Sequence, residues 1–226
     1  MKLVLISDTH SKHRYVNVPD GDILIHSGDF SNIGNPYEVA DFLDWFSSHP
    51  HQYKIFIAGN HDLSFERKKT QAVNSLLFDL DLNIFYLQDS EVTIDGVKFY
   101  GTPWQPEFND WAFNLPRGEK LIEKWNKIPL DTNVLITHGP AFGYLDYSIY
   151  SKTPVGCEDL LNRIKEVKPQ IHVCGHIHDG YGVKYDEYTT YFNASICDES
   201  YKPNNTPWVV HIDEDSKKIK DYYQHI

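Results

Sequence analysis

Asp8, His10, Asp29, Asn60, His61, Asp62, His138, His176 and His178 are side chains that can hold a metal ion or move a proton, and each follows a short apolar run. "KLVLIS" gives way to Asp8, Thr9 and His10, and "DILIHS" to Gly28 and Asp29. "KIFIA" runs into Gly59, Asn60, His61 and Asp62, "NVLIT" into His138, and "IHVC" into Gly175, His176 and His178. A chance scatter would not respect the ends of all five runs. Oxygen donors mixed with imidazoles, and no thiolate, suit Mn, Fe, Zn or Co rather than a structural zinc finger. The seven ligand candidates (Asp8, His10, Asp29, Asn60, His138, His176, His178) are too many for one tetrahedral ion. They fit two ions that share a bridging carboxylate, so the paired histidines of "GHIH" can serve different ions.

The elements that must position these residues are legible from pattern. The five apolar runs are four to six residues long and nearly continuous, as expected of strands covered on both faces. Helical patterns lie between them. Asn35 caps "PYEVADFLDWF", with Pro36 at the first helical position and Glu38 completing a capping box. "RGEKLIEKWNKI" aligns Leu121, Ile122 and Trp125, and "GCEDLLNRIKEV" aligns Cys157, Leu160, Leu161 and Ile164. "EVTIDGVKFYG", "YGVKYDEYTTYFNAS" and "WVVHIDEDSKKIKDYY" alternate as hairpin strands, the first with a tight Asp95-Gly96 turn. Alternating strands and helices predict an α/β protein with a mixed sheet. In such sheets the functional crevice lies outside the carboxyl ends of the strands, so the candidate residues should converge. Gly28, Gly59, Gly139 and Gly175 are expected to allow turns that a side chain would obstruct.

With no internal repeat or linker, residues 1–226 read as a single domain. A net charge of −11 disfavours long nucleic acid, which needs a basic footprint. Cys157, Cys174 and Cys197 lack any paired spacing and read as reduced thiols. No apolar run approaches the roughly 20 residues of a membrane span, and the N-terminus lacks a secretory core, so a cytoplasmic location is expected.

The blocks D-x-H, G-D, G-N-H-D, a lone His before Gly, and G-H-x-H, in this order over residues 8–178, resemble the calcineurin-like metallophosphoesterase superfamily. "VPDGDILIHSGDF", "GTPWQPEF", "WAFNLPRG", "ITHGP" and "YFNAS" further resemble its metallophosphoesterase-domain-containing branch, whose members include weak cyclic-nucleotide phosphodiesterases. The resemblance implies a four-layer α-β-β-α sandwich of two mixed sheets flanked by helices. It assigns Asp8, His10, Asp29 and His178 to one ion. Asp29, bridging, joins Asn60, His138 and His176 at the other, and His61 faces the leaving group. Protein serine/threonine phosphatases of the superfamily carry an Asp shortly after the bridging aspartate, where "GDFSNIG" has Asn32. That departure argues against a protein phosphatase and against a carboxylate-oriented His61.

Two metals about 3.5–4 Å apart polarise phosphoryl oxygens and deliver a bound hydroxide in line. The expected function is hydrolysis of small, nucleotide-like phosphodiesters, dependent on two divalent transition-metal ions: Mn first, with Fe, Zn, Co or Ni as alternatives. His61 is the candidate general acid, and Asp62 either orients it or satisfies backbone donors. Asn60 and Arg117 are candidate substrate contacts, and Trp104, Phe108, Trp111 and Phe113 either pack inward or wall the site. His26 and His172 read as core residues; His13, His49, His51, His211 and His225 read as surface or loop residues. The rival readings are a phosphomonoesterase, a short-strand nuclease, and a catalytically silent metal- or nucleotide-binding protein. No membrane partner is expected.

Overall fold

The computed structural model describes residues 1–66, 71–213 and 215–225. Two six-stranded mixed sheets face each other. In the first, the strand order is Ile219–Gln224, Trp208–Ile212, Lys2–Ile6, Ile23–His26, Tyr53–Phe56, Ile84–Tyr86. The last four run parallel, and the first two are antiparallel additions. The second sheet runs Gly182–Tyr185, Thr190–Asn193, Ile171–Cys174, Val134–Thr137, Val97–Thr102, Ser90–Ile94, with four parallel strands between two antiparallel edges.

Period-two alternation splits each apolar strand between two cores. Leu3, Leu5, Ile23, Ile25 and Ile55 face Phe99, Val134, Ile136, Ile171 and Val173 in the layer between the sheets. The intervening Val4, Ile6, Leu24 and Phe56 point outward, against helices α1 (Pro36–Ser48) and α2 (Gln71–Phe78). On the far side, Tyr100, Leu135 and Tyr191 meet α3 (Glu119–Trp125) and α4 (Glu158–Val167). Each such buried side chain contributes about 1.5–3 kcal/mol. This is the four-layer arrangement expected of the chain, and continuous apolar runs were needed because both faces of every central strand are covered.

The capping box at Asn35 forms as expected: Asn35 accepts the N–H groups of Tyr37 and Glu38, and Glu38 accepts that of Asn35. Glu38 also accepts the Asn32 side chain at 3.0 Å and the Ile33 N–H at 3.2 Å, which fixes the loop that follows Asp29. Asp95 and Gly96 both take positive φ, 48° and 74°, as the tight turn requires. The hairpin from Trp208 forms, and Glu214 lies outside the described residues.

Several expectations need correction. His13 and His51 are buried rather than at the surface. His13 packs on Phe42 and Trp45 with its Nε2 3.0 Å from Asp41, and burial lowers its proton affinity. Burial holds His51 down to about 4, so both rings enter the apolar layer as neutral groups. In α3 Leu121 and Trp125 are buried, but Ile122 is exposed because it lies off their face. Gly139 has ordinary room for a Cβ, whereas a Cβ on Gly28 would fall 2.6 Å from His138 Nδ1. Helix α2 and the strand Ile84–Tyr86 were not anticipated; both are short.

Candidate metal centre

The candidate residues from the two sheets meet at the carboxyl ends of the parallel strands. Asp8 and His10 follow Lys2–Ile6, Asp29 follows Ile23–His26, and Asn60 and His61 follow Tyr53–Phe56. From the second sheet, His138 follows Val134–Thr137, and His176 and His178 follow Ile171–Cys174. Potential ligand atoms form three overlapping groups, each within 4.8 Å: Asp8, His10 and His178; His10, Asp29 and His61; Asp29, His138 and His176. His178 Nε2 lies 3.4 Å from Asp8 and 3.3 Å from His10 Nε2; His138 Nε2 lies 3.3 Å from Asp29 and 2.9 Å from Asn60 Oδ1. Asp29 therefore stands between the His10 end and the His138 end of the cluster.

Placing so many polar side chains in one spot costs backbone strain. Asp8, His10, Asp29 and His176 take φ of 51°, 42°, 56° and 65°, a region worth about 1–3 kcal/mol each for a residue with a side chain. Backbone bonds that continue the strand pairing past the strand ends hold them there: Asp8 N–H to Gly28 O at 2.9 Å, and His10 N–H to Asp29 O at 3.0 Å.

Backbone carbonyls set the imidazoles. His138 Nδ1 donates to Ser27 O at 3.0 Å and His178 Nδ1 to Asp198 O at 2.9 Å, which turns each Nε2 toward the cluster. His61 Nδ1 donates to the Asn32 carbonyl at 2.8 Å. Asp62 accepts the N–H groups of Asp29, Gly59 and Ser31, at 2.9, 2.8 and 3.1 Å. Of the two roles weighed for Asp62, the geometry favours satisfying backbone donors. At the residue where related phosphatases place a carboxylate, this chain presents a main-chain oxygen to His61.

The donor set fits cations. Asp8 and Asp29 are buried, and no lysine or arginine among the described residues pairs with either. Burial opposes their ionisation, yet His178 holds Asp8 and His138 holds Asp29 well below the usual carboxylate range. Burial likewise opposes charge on His138, but Asp29 lifts it to about 9. His10 and His176 are kept neutral by burial, down to about 4 and 3, as coordinating imidazoles must be. Two buried carboxylates ringed by imidazoles form a place for positive charge.

A cavity of about 490 Å³ opens over the cluster, lined by His10, Asp29, Asn60, His61, His176 and His178 among others. The aromatic segment divides between the two roles considered for it. Phe113 is buried, and Trp104 sits against it, donating to Asp89. Phe108 lines the cavity 5.8 Å from the His176 ring, while Trp111 stacks on His61. Arg117 also lines the cavity, but its guanidinium donates to the carbonyls of Val155 and Gly156 at 2.8 Å each. Sequence reasoning missed Tyr201, whose ring lies 4.8 Å from His10 and 5.2 Å from His178, and Ser195, whose hydroxyl donates to Asp8 at 2.9 Å. Ser195 lies in the quoted string "YFNAS", the one signal that could have pointed to it. Cys157, Cys174 and Cys197 are free and buried. Among the described residues no helix is long and apolar enough to cross a membrane.

Residues 1–180 match the family model of calcineurin-like phosphoesterases. The chain is 47% identical to human metallophosphoesterase domain-containing protein 1, over 92% of this chain and 70% of that protein. It is 40% identical to a UPF0046 protein of Caenorhabditis elegans, over 94% of this chain and 75% of that one. Among solved structures, a phosphopantetheinyl hydrolase from Mycobacterium tuberculosis superposes with a TM-score of 0.61 at 16% identity, covering 88% of this chain and 90% of that one. TT1561 of Thermus thermophilus gives 0.64 at 12% identity, covering 99% and 98%. At those identities the likeness speaks to the fold.

Proposed function

Because the chain belongs to the calcineurin-like phosphoesterase family, we propose that it is a dinuclear, metal-dependent phosphodiesterase acting on small, nucleotide-like diesters. The observation that carries this reading is Asp29, shared between ligand groups at the floor of one cavity. Asp8, His10, Asp29 and His178 would hold one divalent ion, and Asp29, Asn60, His138 and His176 the other. When bound, such a pair polarises phosphoryl oxygens and makes a water nucleophilic near neutral pH. Manganese is the first choice, since the ligand set mixes oxygens with imidazoles.

The protein's own residues do the rest. Protonated His61 carries hydrogen on both ring nitrogens: Nδ1–H is taken up by the Asn32 carbonyl, leaving Nε2–H to donate to the departing oxygen as its bond to phosphorus breaks. General acids of this kind contribute about 10²–10⁴-fold. Two flanks of the cavity favour a diester over a monoester. Phe108 stands beside His176 and Tyr201 beside His10, so the cavity offers an aromatic wall near each end of the cluster, one for each substituent of a diester. Aromatic walls suit a nucleobase or sugar face. The chain's net charge of −11 fits a small substrate better than a polynucleotide. A cytoplasmic site of action agrees with three reduced cysteines.

Turnover of bis(p-nitrophenyl) phosphate with manganese, exceeding that of p-nitrophenyl phosphate, is the expected result; the reverse preference would favour a monoesterase. His61→Gln should keep its metals and lose turnover most on esters with basic leaving groups. Equal losses across leaving groups would reject the acid role.

A further inference from the structure

We propose that Trp111 is a positioning residue for His61: its indole face, together with the Asn32 carbonyl, holds the imidazole in the orientation that delivers a proton. This rests on the general-acid role given to His61 above. The Trp111 and His61 rings stack with centroids 4.0 Å apart and 26° between their planes. His10 meets the His61 ring edge-on at 4.7 Å. The single hydrogen bond from Nδ1 to Asn32 O, 2.8 Å long, fixes one atom and leaves the ring free to pivot about it. A flat apolar surface against the face removes that freedom. A carboxylate partner would ordinarily fix both the angle and the proton; here Asp62 is turned to the backbone and Asn32 offers only its carbonyl.

The chain goes to some length to deliver this indole. Ala112 N–H donates to the carbonyl of Asn60, the residue before His61, at 3.2 Å. Phe113 is buried, and its N–H donates to Glu66 at 2.7 Å. The Trp111 loop is thus fastened to the same segment that carries His61, so the two rings keep register. Phe108, three residues before Trp111 in the same loop, lines the cavity, whereas Trp111 is not among the lining residues. Trp111 thus meets the site through the face of the His61 ring.

The test uses the whole 226-residue chain with zinc or manganese bound. Trp111→Leu should retain its metals and KM, and lose roughly tenfold in kcat on diesters with alkyl leaving groups, part of the range open to a general acid. On bis(p-nitrophenyl) phosphate, whose leaving group needs little protonation, the loss should be slight. Trp111→Phe should restore most of the deficit. A rise in KM with kcat unchanged, or equal loss for both leaving groups, would overturn the proposal and make Trp111 a substrate wall. A second readout needs no turnover. In ¹⁵N-histidine spectra of the zinc-loaded protein, the His61 ring signals should be sharp in the wild type and in Trp111→Phe, and shifted and broadened in Trp111→Leu, where the ring can pivot about its bond to Asn32. Unchanged His61 signals in a folded Trp111→Leu protein would also overturn it. If the wild type hydrolyses no phosphoester, the function proposed above fails, while the spectra still judge the positioning role.

Discussion

The two sheets contribute unequally to the centre. The first supplies every carboxylate, Asp8 and Asp29, along with His10, Asn60 and His61; the second supplies only imidazoles, His138, His176 and His178. Strain follows the charge: of the four candidate ligands with left-handed backbone, three belong to the first sheet. Carboxylates on one side and imidazoles alone on the other mean that neither sheet offers a complete site. Each ion would close across the gap, and Asp29 is the residue that both ions would require.

Breaking that comparison at its centre should have the largest effect. Asp29→Asn keeps the shape and removes the anion, so metal content and turnover should fall together, by more than the roughly 10–100-fold typical of losing an outer partner of a ligand. Elemental analysis beside kinetics decides it; full manganese occupancy with normal turnover would end the dinuclear assignment. Next in size is metal removal. If the ions fasten one sheet to the other, chelation should lower thermal stability as well as activity. One site saturated at about 100 times its Kd contributes about 2.7 kcal/mol. In a chain of this size that is roughly 5–10 °C in Tm. An unchanged melting curve after EDTA would mean the sheets are held without the ions.

Much of this asymmetry could be read before any coordinates. Strands covered on both faces must be continuous apolar runs, so their ends, and the polar residues placed there, stand out in the sequence. What could not be read was the part played by the main chain. Ser27, Asn32 and Asp198 orient His138, His61 and His178 through carbonyls, and every residue has one. Nor did residue type give away Tyr201, brought to His10 by a loop in which its own φ is 57°. His13 and His51 misled for a different reason. Imidazole is small and neutral enough to enter a core when burial depresses its proton affinity. Trp111 was visible as an aromatic of the quoted segment, but only the structure shows it stacked on His61.

The "GHIH" turn sharpens the comparison between ions. On the proposed assignment, His178→Ala would leave one site with Asp8, His10 and a shared Asp29, whereas His176→Ala would leave the other with Asn60, His138 and Asp29. The second set has one carboxylate, and that one is shared. It should therefore hold manganese about tenfold less tightly, because fewer anionic oxygens remain. Metal titration of both variants measures this; two tightly bound ions in each would show that neither histidine is a ligand.

The smallest expected effect concerns pH, and sets the centre against histidines that bind nothing there. His172 lies within the second sheet, its Nε2 2.7 Å from the Thr137 hydroxyl, and burial keeps it neutral down to about 3. His51, at the opposite end of the first sheet's strands from the ligands, stays neutral down to about 4 for the same reason. In the unfolded chain both take up a proton near pH 6.5. Above that pH neither state is protonated at these positions, and their contribution to stability is constant. As the pH falls below it, the unfolded chain binds protons that the fold refuses, so stability declines until the folded values are reached. Each histidine adds about 1.4 kcal/mol per pH unit to that slope. Urea midpoints at pH 7.5 and 5.5 should therefore differ less in His51→Gln than in the wild type, by roughly the share of one proton. Because His51 is remote from the ligands, its variant should leave turnover at pH 7.5 unchanged. An identical pH slope in variant and wild type would mean that His51 is protonated inside the fold, and that burial there does not exclude charge.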